Sequence, residues 1–159
     1  MACSLSRTWS VIGEPWTPLI IRDLAIGLTR FEQFQTDLGI ARSVLTERLH
    51  TLLEAGVIER REYQSENRRR EEYVLTPMGK DLVPIVMAIT QWGDRWLDDG
   101  AGPPVLFHHD RCDHASTARL VCDHCNDPLE ADELTLVAGP GSRTGPGTYA
   151  AQQLPRSAG

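Results

Sequence analysis

A mainly α-helical fold carrying one small β-hairpin is what the sequence predicts, on three observations. Four segments with apolar residues spaced three and four apart precede any strand-like run. Two short runs holding Val57, Ile58 and Tyr63, then Tyr73, Val74 and Leu75, flank a polar loop. A long final segment repeats apolar residues from Met78 to Trp96. Spacings of three and four mark one face of a helix, and short apolar runs around a polar turn mark a hairpin. A short segment rich in Cys and His follows and predicts a zinc-ribbon-like appendage.

Taken in order, Leu5, Trp9, Ile12 and Trp16 predict a first helix. Pro18 suits the first turn of a second, which runs through Leu24 to Ile26 and ends at Gly27. Thr29 and Glu32 have capping-box spacing before a third helix that buries Phe31, Phe34 and Leu38. Gly39 breaks it. A fourth helix turns Leu45, Leu49, Leu52 and Leu53 inward, and Gly56 closes it. Strands over Val57–Tyr63 and Glu71–Leu75 enclose the loop Gln64–Arg70. Thr76 and Pro77 then start the last helix, whose seam is Met78, Leu82, Ile85, Ile89, Trp92 and Trp96, flanked by Val83, Val86 and Leu97. Helix, short turn, helix and two-stranded ribbon is the order of a winged helix-turn-helix. The expected organisation is a winged-helix domain for DNA binding and dimerisation over 1–98 and a linker over 99–104. A Cys/His segment follows over 105–141, and a disordered tail rich in Gly, Pro, Ala and Ser over 142–159.

In 159 residues no apolar run reaches the length of about 20 needed to span a bilayer, which excludes a membrane-spanning helix. The N-terminus lacks the apolar stretch of a secretory signal, so the expected location is cytoplasmic and the four cysteines are expected as thiols or metal ligands. The net charge of −6 is unevenly placed. Ala41 to Arg70 holds seven arginines against five glutamates, whereas Asp98 to Leu136 holds nine acidic residues against two arginines. The middle of the chain is therefore compatible with DNA.

The span from Cys3 to Trp96 resembles the HxlR-type regulators, relatives of the MarR winged-helix proteins. The matching pieces include Val11-Ile12-Gly13, Ile20-Ile21-Arg22-Asp23-Leu24, Arg30-Phe31-Glu32, Leu45-Thr46-Glu47-Arg48-Leu49, Leu53-Glu54-Ala55-Gly56-Val57-Ile58 and Glu72-Tyr73-Val74-Leu75-Thr76-Pro77-Met78-Gly79. The resemblance implies a homodimer that binds operator DNA and regulates transcription, with room for a small-molecule effector. One departure is Ala41, where the family usually has Ser or Thr at the cap of the recognition helix. Alanine has no cap oxygen, and Ser43 is the candidate cap for a later helix start.

A helix-turn-helix lays the N-terminal half of its second helix in the major groove. With the leucines inward, Ser43, Thr46, Glu47 and His50 face outward. Arg42 sits where a guanidinium reaches phosphate or guanine, and Glu47 can accept from cytosine. Arg48 flanks the apolar face, where it reaches phosphate or pairs with a carboxylate. Arg68, Arg69 and Arg70 fall at the hairpin tip and return strand, suited to phosphates or the minor groove. The bland alternative is a solvated face, neutralised by Glu66, Glu71 and Glu72.

His109-x2-Cys112 and Cys122-x2-Cys125 have the paired spacing of a closed tetrahedral zinc site. His108, His114 and His124 are competing ligands, and free thiols or a Cys122–Cys125 disulfide are the alternatives. A structural zinc would supply folding energy that so short a segment lacks. By resemblance, Cys3 near the first helix is a candidate sensor of electrophiles or oxidants, since a helix N-terminus favours thiolate. The dimer is expected to bury Leu5, Trp9, Ile85, Ile89, Trp92 and Trp96. Two other functions stand beside DNA binding: a zinc-ribbon protein-interaction module on a winged-helix scaffold, and a CxxC redox enzyme. The turn Asn126-Asp127-Pro128 after the CxxC speaks against the enzyme.

Overall fold

Proline, glycine and threonine set the limits of the helices. The computed structural model describes residues 3–65 and 68–141, with Ser65 and Arg68 described through the backbone alone. The expected tail over 142–159 and the hairpin tip at 66–67 lie outside the described residues. By its internal contacts the chain forms two compact units, Val11–Ala118 and Met1–Ser10 with Arg119–Gly159. The elements run α1 (Ser4–Ile12), α2 (Thr17–Ala25), α3 (Phe31–Leu38), α4 (Arg42–Glu54), β1 (Ile58–Ser65), β2 (Arg68–Leu75), α5 (Pro77–Trp96), β3 (Phe107–His109), β4 (His114–Ser116) and a single 3-10 turn (Ala131–Glu133). This is a winged helix-turn-helix with a second, short hairpin.

The core is built from Ile12, Ile20, Ile21, Leu24, Phe34, Ile40, Leu45, Leu49, Leu52, Val57, Ile58 and Val86. Each helix contributes one stripe, so burial of apolar area fixes how α2, α3 and α4 pack. The turn between α3 and α4 is short because Gly39 takes a left-handed conformation (φ 61°) and Ile40 dives into the core. That tightness sets the angle at which α4 leaves.

Three local expectations are corrected. Trp16 lies beyond α1, which stops at Ile12 before Glu14 and Pro15. At α3 the cap is Arg30 rather than Thr29: the Gln33 carboxamide oxygen accepts from the backbone N–H groups of Arg30 and Thr29, at 2.9 and 3.0 Å. Arginine has no acceptor, so only the returning half of a capping box forms. Finally, α4 starts at Arg42 with Ala41 as an extended, uncapped N-cap, and Ser43 does not delay it.

The wing is longer than expected. β1 and β2 pair antiparallel from Ile58↔Leu75 to Ser65↔Arg68, which absorbs most of the expected loop into strand. It is pinned to the helices at two points. The Tyr73 N–H donates to the Thr29 carbonyl at 2.7 Å, and the Thr29 hydroxyl donates to Glu72 at 3.0 Å. Thr76 caps α5 by accepting from the Gly79 N–H, while its hydroxyl donates to the Gly56 carbonyl at 2.7 Å.

Along α5 the two apolar stripes are sorted by packing. Val86 is buried and Leu82 and Val83 pack on the core, whereas Ile85, Ile89, Trp92 and Trp96 stay exposed. Beyond α5, β3 pairs with β4 from Phe107↔Ser116 to His109↔His114. The Ala118 N–H donates to the Gln91 side chain on α5 at 2.9 Å. Residues 105–118 thus belong with the helical unit, and Cys122 and Cys125 fall in the other.

Candidate nucleic-acid interface

The outward face of α4 carries Arg42, Ser43, Thr46, Glu47 and His50, all exposed, opposite the buried Leu45, Leu49 and Leu52. Their chemistry differs. The Thr46 hydroxyl donates back to the Arg42 carbonyl at 2.9 Å, leaving its lone pairs and methyl group for a base edge. His50 lies 3.3 Å from Glu54. Arg48 is turned inward, 16 % exposed, and pairs with Glu14 at 3.6 Å and Glu47 at 3.4 Å. Of its two expected roles, the structure displays the carboxylate pair.

On the wing, Arg69 lies 3.6 Å from Glu62, and Arg70 stands opposite Tyr63. Arg68 is placed by its backbone at the start of β2, opposite Ser65. Arg30 was not among the sequence candidates, yet its guanidinium stacks over the Tyr63 ring at 4.8 Å. Arg42 stacks in the same manner over Phe31 at 4.7 Å. No local pattern marked Arg30, because the expected cap was Thr29 and the ring that Arg30 stacks on belongs to the distant wing.

Behind this surface, Asp23 is fully buried. Arg22 donates to one of its oxygens at 2.9 and 2.6 Å, while the other oxygen has no partner among the described residues. Burial pushes its carboxyl above the ordinary value, outweighing the pull of Arg22. Arg22 also reaches Asp37 at 2.9 Å, so this group fastens α2 to α3.

The Cys/His residues form two similar turns. In the first, the Cys112 and Asp113 N–H groups donate to the His109 carbonyl at 3.1 and 3.0 Å, and His109 Nδ1 lies 3.2 Å from Cys112 Sγ. In the second, the Asn126 N–H donates to the Cys122 carbonyl at 2.9 Å. In both, the residue after the second ligand is left-handed, Asp113 at φ 57° and Asn126 at φ 62°. N–H donation from Cys125 and His124 pulls the Cys122 thiol below its ordinary value. Of the competing histidines, His114 is engaged by the Cys112 carbonyl and His108 lies beside Asp113. Among the described residues no three His, Cys, Asp or Glu side chains gather as a metal-holding group. Cys3 is exposed, and its carbonyl accepts the first bond of α1 from Arg7.

A recognition helix with an outward polar face, beside an arginine-bearing wing, defines a winged-helix DNA-binding protein. The family model described as HxlR-like helix-turn-helix matches residues 11–101, and the chain belongs to that family. The uncharacterized HTH-type transcriptional regulator Rv3095 of Mycobacterium tuberculosis is 39% identical over 138 residues, 87% of each chain. Among solved structures, PA1607, a candidate transcription factor, superposes with a TM-score of 0.75. Its identity is 33%, over 86% of this chain and 95% of its own. The redox regulator HypR in its reduced form follows at TM-score 0.55 and 30% identity, over 60% of this chain and 95% of its own. The protein is a DNA-binding transcriptional regulator and not an enzyme. No helix among the described residues is long and apolar enough to cross a membrane.

Proposed function

We propose that the protein is a repressor that binds a palindromic operator as a homodimer in the cytoplasm and responds to a redox signal or a small ligand. The observation that carries the dimer is the stripe Ile85, Ile89, Trp92 and Trp96 on α5, exposed by 46, 45, 57 and 61%. Monomers rarely leave so continuous an apolar patch in water, and a twofold mate covers it with the same residues. Leu5 and Trp9, also exposed, add to the buried area. Sedimentation equilibrium at micromolar concentration is expected to give a dimer, and the Ile89→Glu, Trp92→Glu double variant a folded monomer. A monomeric wild type contradicts the reading.

In this reading Ser43, Thr46, Glu47 and His50 read the major groove, Arg42 reaches a phosphate or a guanine at the start of α4, and Arg68, Arg69 and Arg70 contact the backbone or minor groove. Arg48 positions the helix. The ligand's place is a cleft of ≈560 Å³ lined by Trp92, Trp96, Phe107 and Arg95. Occupation there changes the dimer face directly. Cys3 is the candidate sensor, supported by its exposure and by the likeness to HypR.

A structural zinc held by His109, Cys112, Cys122 and Cys125 belongs to the same proposal. Ligands about 2.0–2.3 Å from a tetrahedral zinc stand about 3.5 Å apart, close to the His109–Cys112 separation. The N–H groups aimed at Cys122 suit a metal thiolate. Elemental analysis of reduced protein purified without chelator is expected to find one zinc per chain, lost in Cys122→Ser. A metal-free wild type ends the zinc reading.

A further inference from the structure

We propose that Arg30, Arg42 and Arg70 form a clamp for one backbone phosphate of the bound duplex, with Arg30 a DNA contact in its own right. This rests on the DNA-binding reading and adds to it a named phosphate site. The starting point is how the arginines around the helix-turn-helix and wing are paired. Arg22, Arg48, Arg60, Arg61 and Arg69 each have a carboxylate within 4 Å. Among the described residues Arg30, Arg42 and Arg70 have none, and these three line one cleft of ≈520 Å³ with Phe31, Tyr63 and Tyr73. Three guanidiniums left without counter-ions around one hollow repel one another unless an anion enters.

Two of them are already held in place. Arg30 lies over Tyr63 and Arg42 over Phe31, at 4.8 and 4.7 Å, so each guanidinium rests a face on a ring and keeps N–H edges for a ligand. Side chains fixed in this way lose less freedom on binding than free ones. Two acids, Glu32 and Glu71, also line the cleft. Glu71 is occupied by Arg60 at 3.5 Å, and the single Glu32 leaves the arginines in excess.

Location decides which phosphate. The cleft lies where the starts of α3 and α4 meet the wing strands. A recognition helix in a major groove and a wing in the neighbouring minor groove must straddle the sugar-phosphate strand between those grooves. That strand passes through the junction of α4 and the wing. A contact there carries no sequence information itself but fixes the register in which α4 meets the bases. A free phosphate or phosphorylated metabolite shares this chemistry, and the two sources are separable.

The test measures binding of the full chain to a duplex selected by the wild type from a random pool, with Arg30→Ala and Arg30→Lys as variants and thermal melts as folding controls. Arg30→Ala is expected to weaken binding about tenfold near 0.1 M salt and to flatten the slope of log K against log salt by part of the roughly 0.9 that one whole phosphate contributes, since Arg42 and Arg70 remain. Arg30→Lys keeps the slope and loses part of the affinity. Uncharged methylphosphonates are then placed one position at a time. One position per half-site is expected to weaken the wild type strongly and Arg30→Ala distinctly less. Wild-type binding with an unchanged slope in Arg30→Ala, or methylphosphonate penalties identical in both proteins, overturns the clamp while DNA binding stands. Failure of the wild type to bind any duplex overturns both. Inorganic phosphate is titrated against chloride of equal ionic strength and is expected to act no differently. Selective release of the duplex by phosphate, abolished in Arg30→Ala, assigns the cleft to a free phosphate species and overturns the DNA source.

Discussion

At the scale of single residues, the joint between wing and last helix depends on Gly79. A Cβ there overlaps the Val57 carbonyl oxygen and presses on the Leu75 side chain at 3.0 Å. The carbonyl is held in place, because it accepts from the Thr76 N–H at 3.1 Å and lies in the short link between α4 and β1. Gly79→Ala is therefore expected to cost about 1–3 kcal/mol, read as a lower denaturant midpoint at unchanged slope. A variant as stable as the wild type would show that α5 shifts freely against the strand. The surface arginines work differently. Arg48 and Arg30 are both long cations near α4, yet one is closed off by two carboxylates and the other rests on an aromatic ring facing a polar cleft. Residue type alone did not separate them, since Glu14 beside Arg48 and Tyr63 beneath Arg30 lie far off in sequence.

At the scale of elements, α4 begins without a cap. Ala41 has the extended conformation of an N-cap (φ −63°, ψ 138°) but no side-chain acceptor for the free N–H groups of the first turn. Ala41→Ser is expected to raise stability by about 1 kcal/mol and the melting temperature by about 3 °C. An unchanged melt would mean those N–H groups are already satisfied. The helices were legible because each buries a stripe at helical spacing, as Leu45, Leu49 and Leu52 do on α4. Their ends were less so: Gln33 reaches back to Arg30 and Thr29, which moved the cap expected at Thr29. The wing strands were underestimated for a physical reason. Gln64-Ser65 and Arg68-Arg69-Arg70 extend the ladder beyond the expected strands with polar and charged residues, and a hairpin segment without a buried face leaves no alternation to read. On α5 both apolar stripes were visible in the sequence. Which one faces the core became clear only from Val86 packing beneath the helices and Ile89 remaining outside. In the candidate site, the face of α4 followed from periodicity, whereas the cleft around Arg30 joins residues from four elements and has no sequence pattern.

At the scale of the whole molecule, a net charge of −6 coexists with DNA binding because the basic residues gather on the recognition helix and wing. Affinity is therefore expected to come from a local field, with phosphate contacts setting position and α4 reading bases. The proposed dimer through the exposed stripe of α5 would supply the second half of the site. Two recognition helices related by a twofold axis call for half-sites about 34 Å apart along the duplex, one helical turn. The most direct test of this account is a hydroxyl-radical footprint of the wild-type protein on a duplex it selects from a random pool. The account predicts two protected patches related by twofold symmetry, with centres about 34 Å apart and inverted repeats beneath them. A single unsymmetrical patch, or no sequence enriched above the pool, would contradict it.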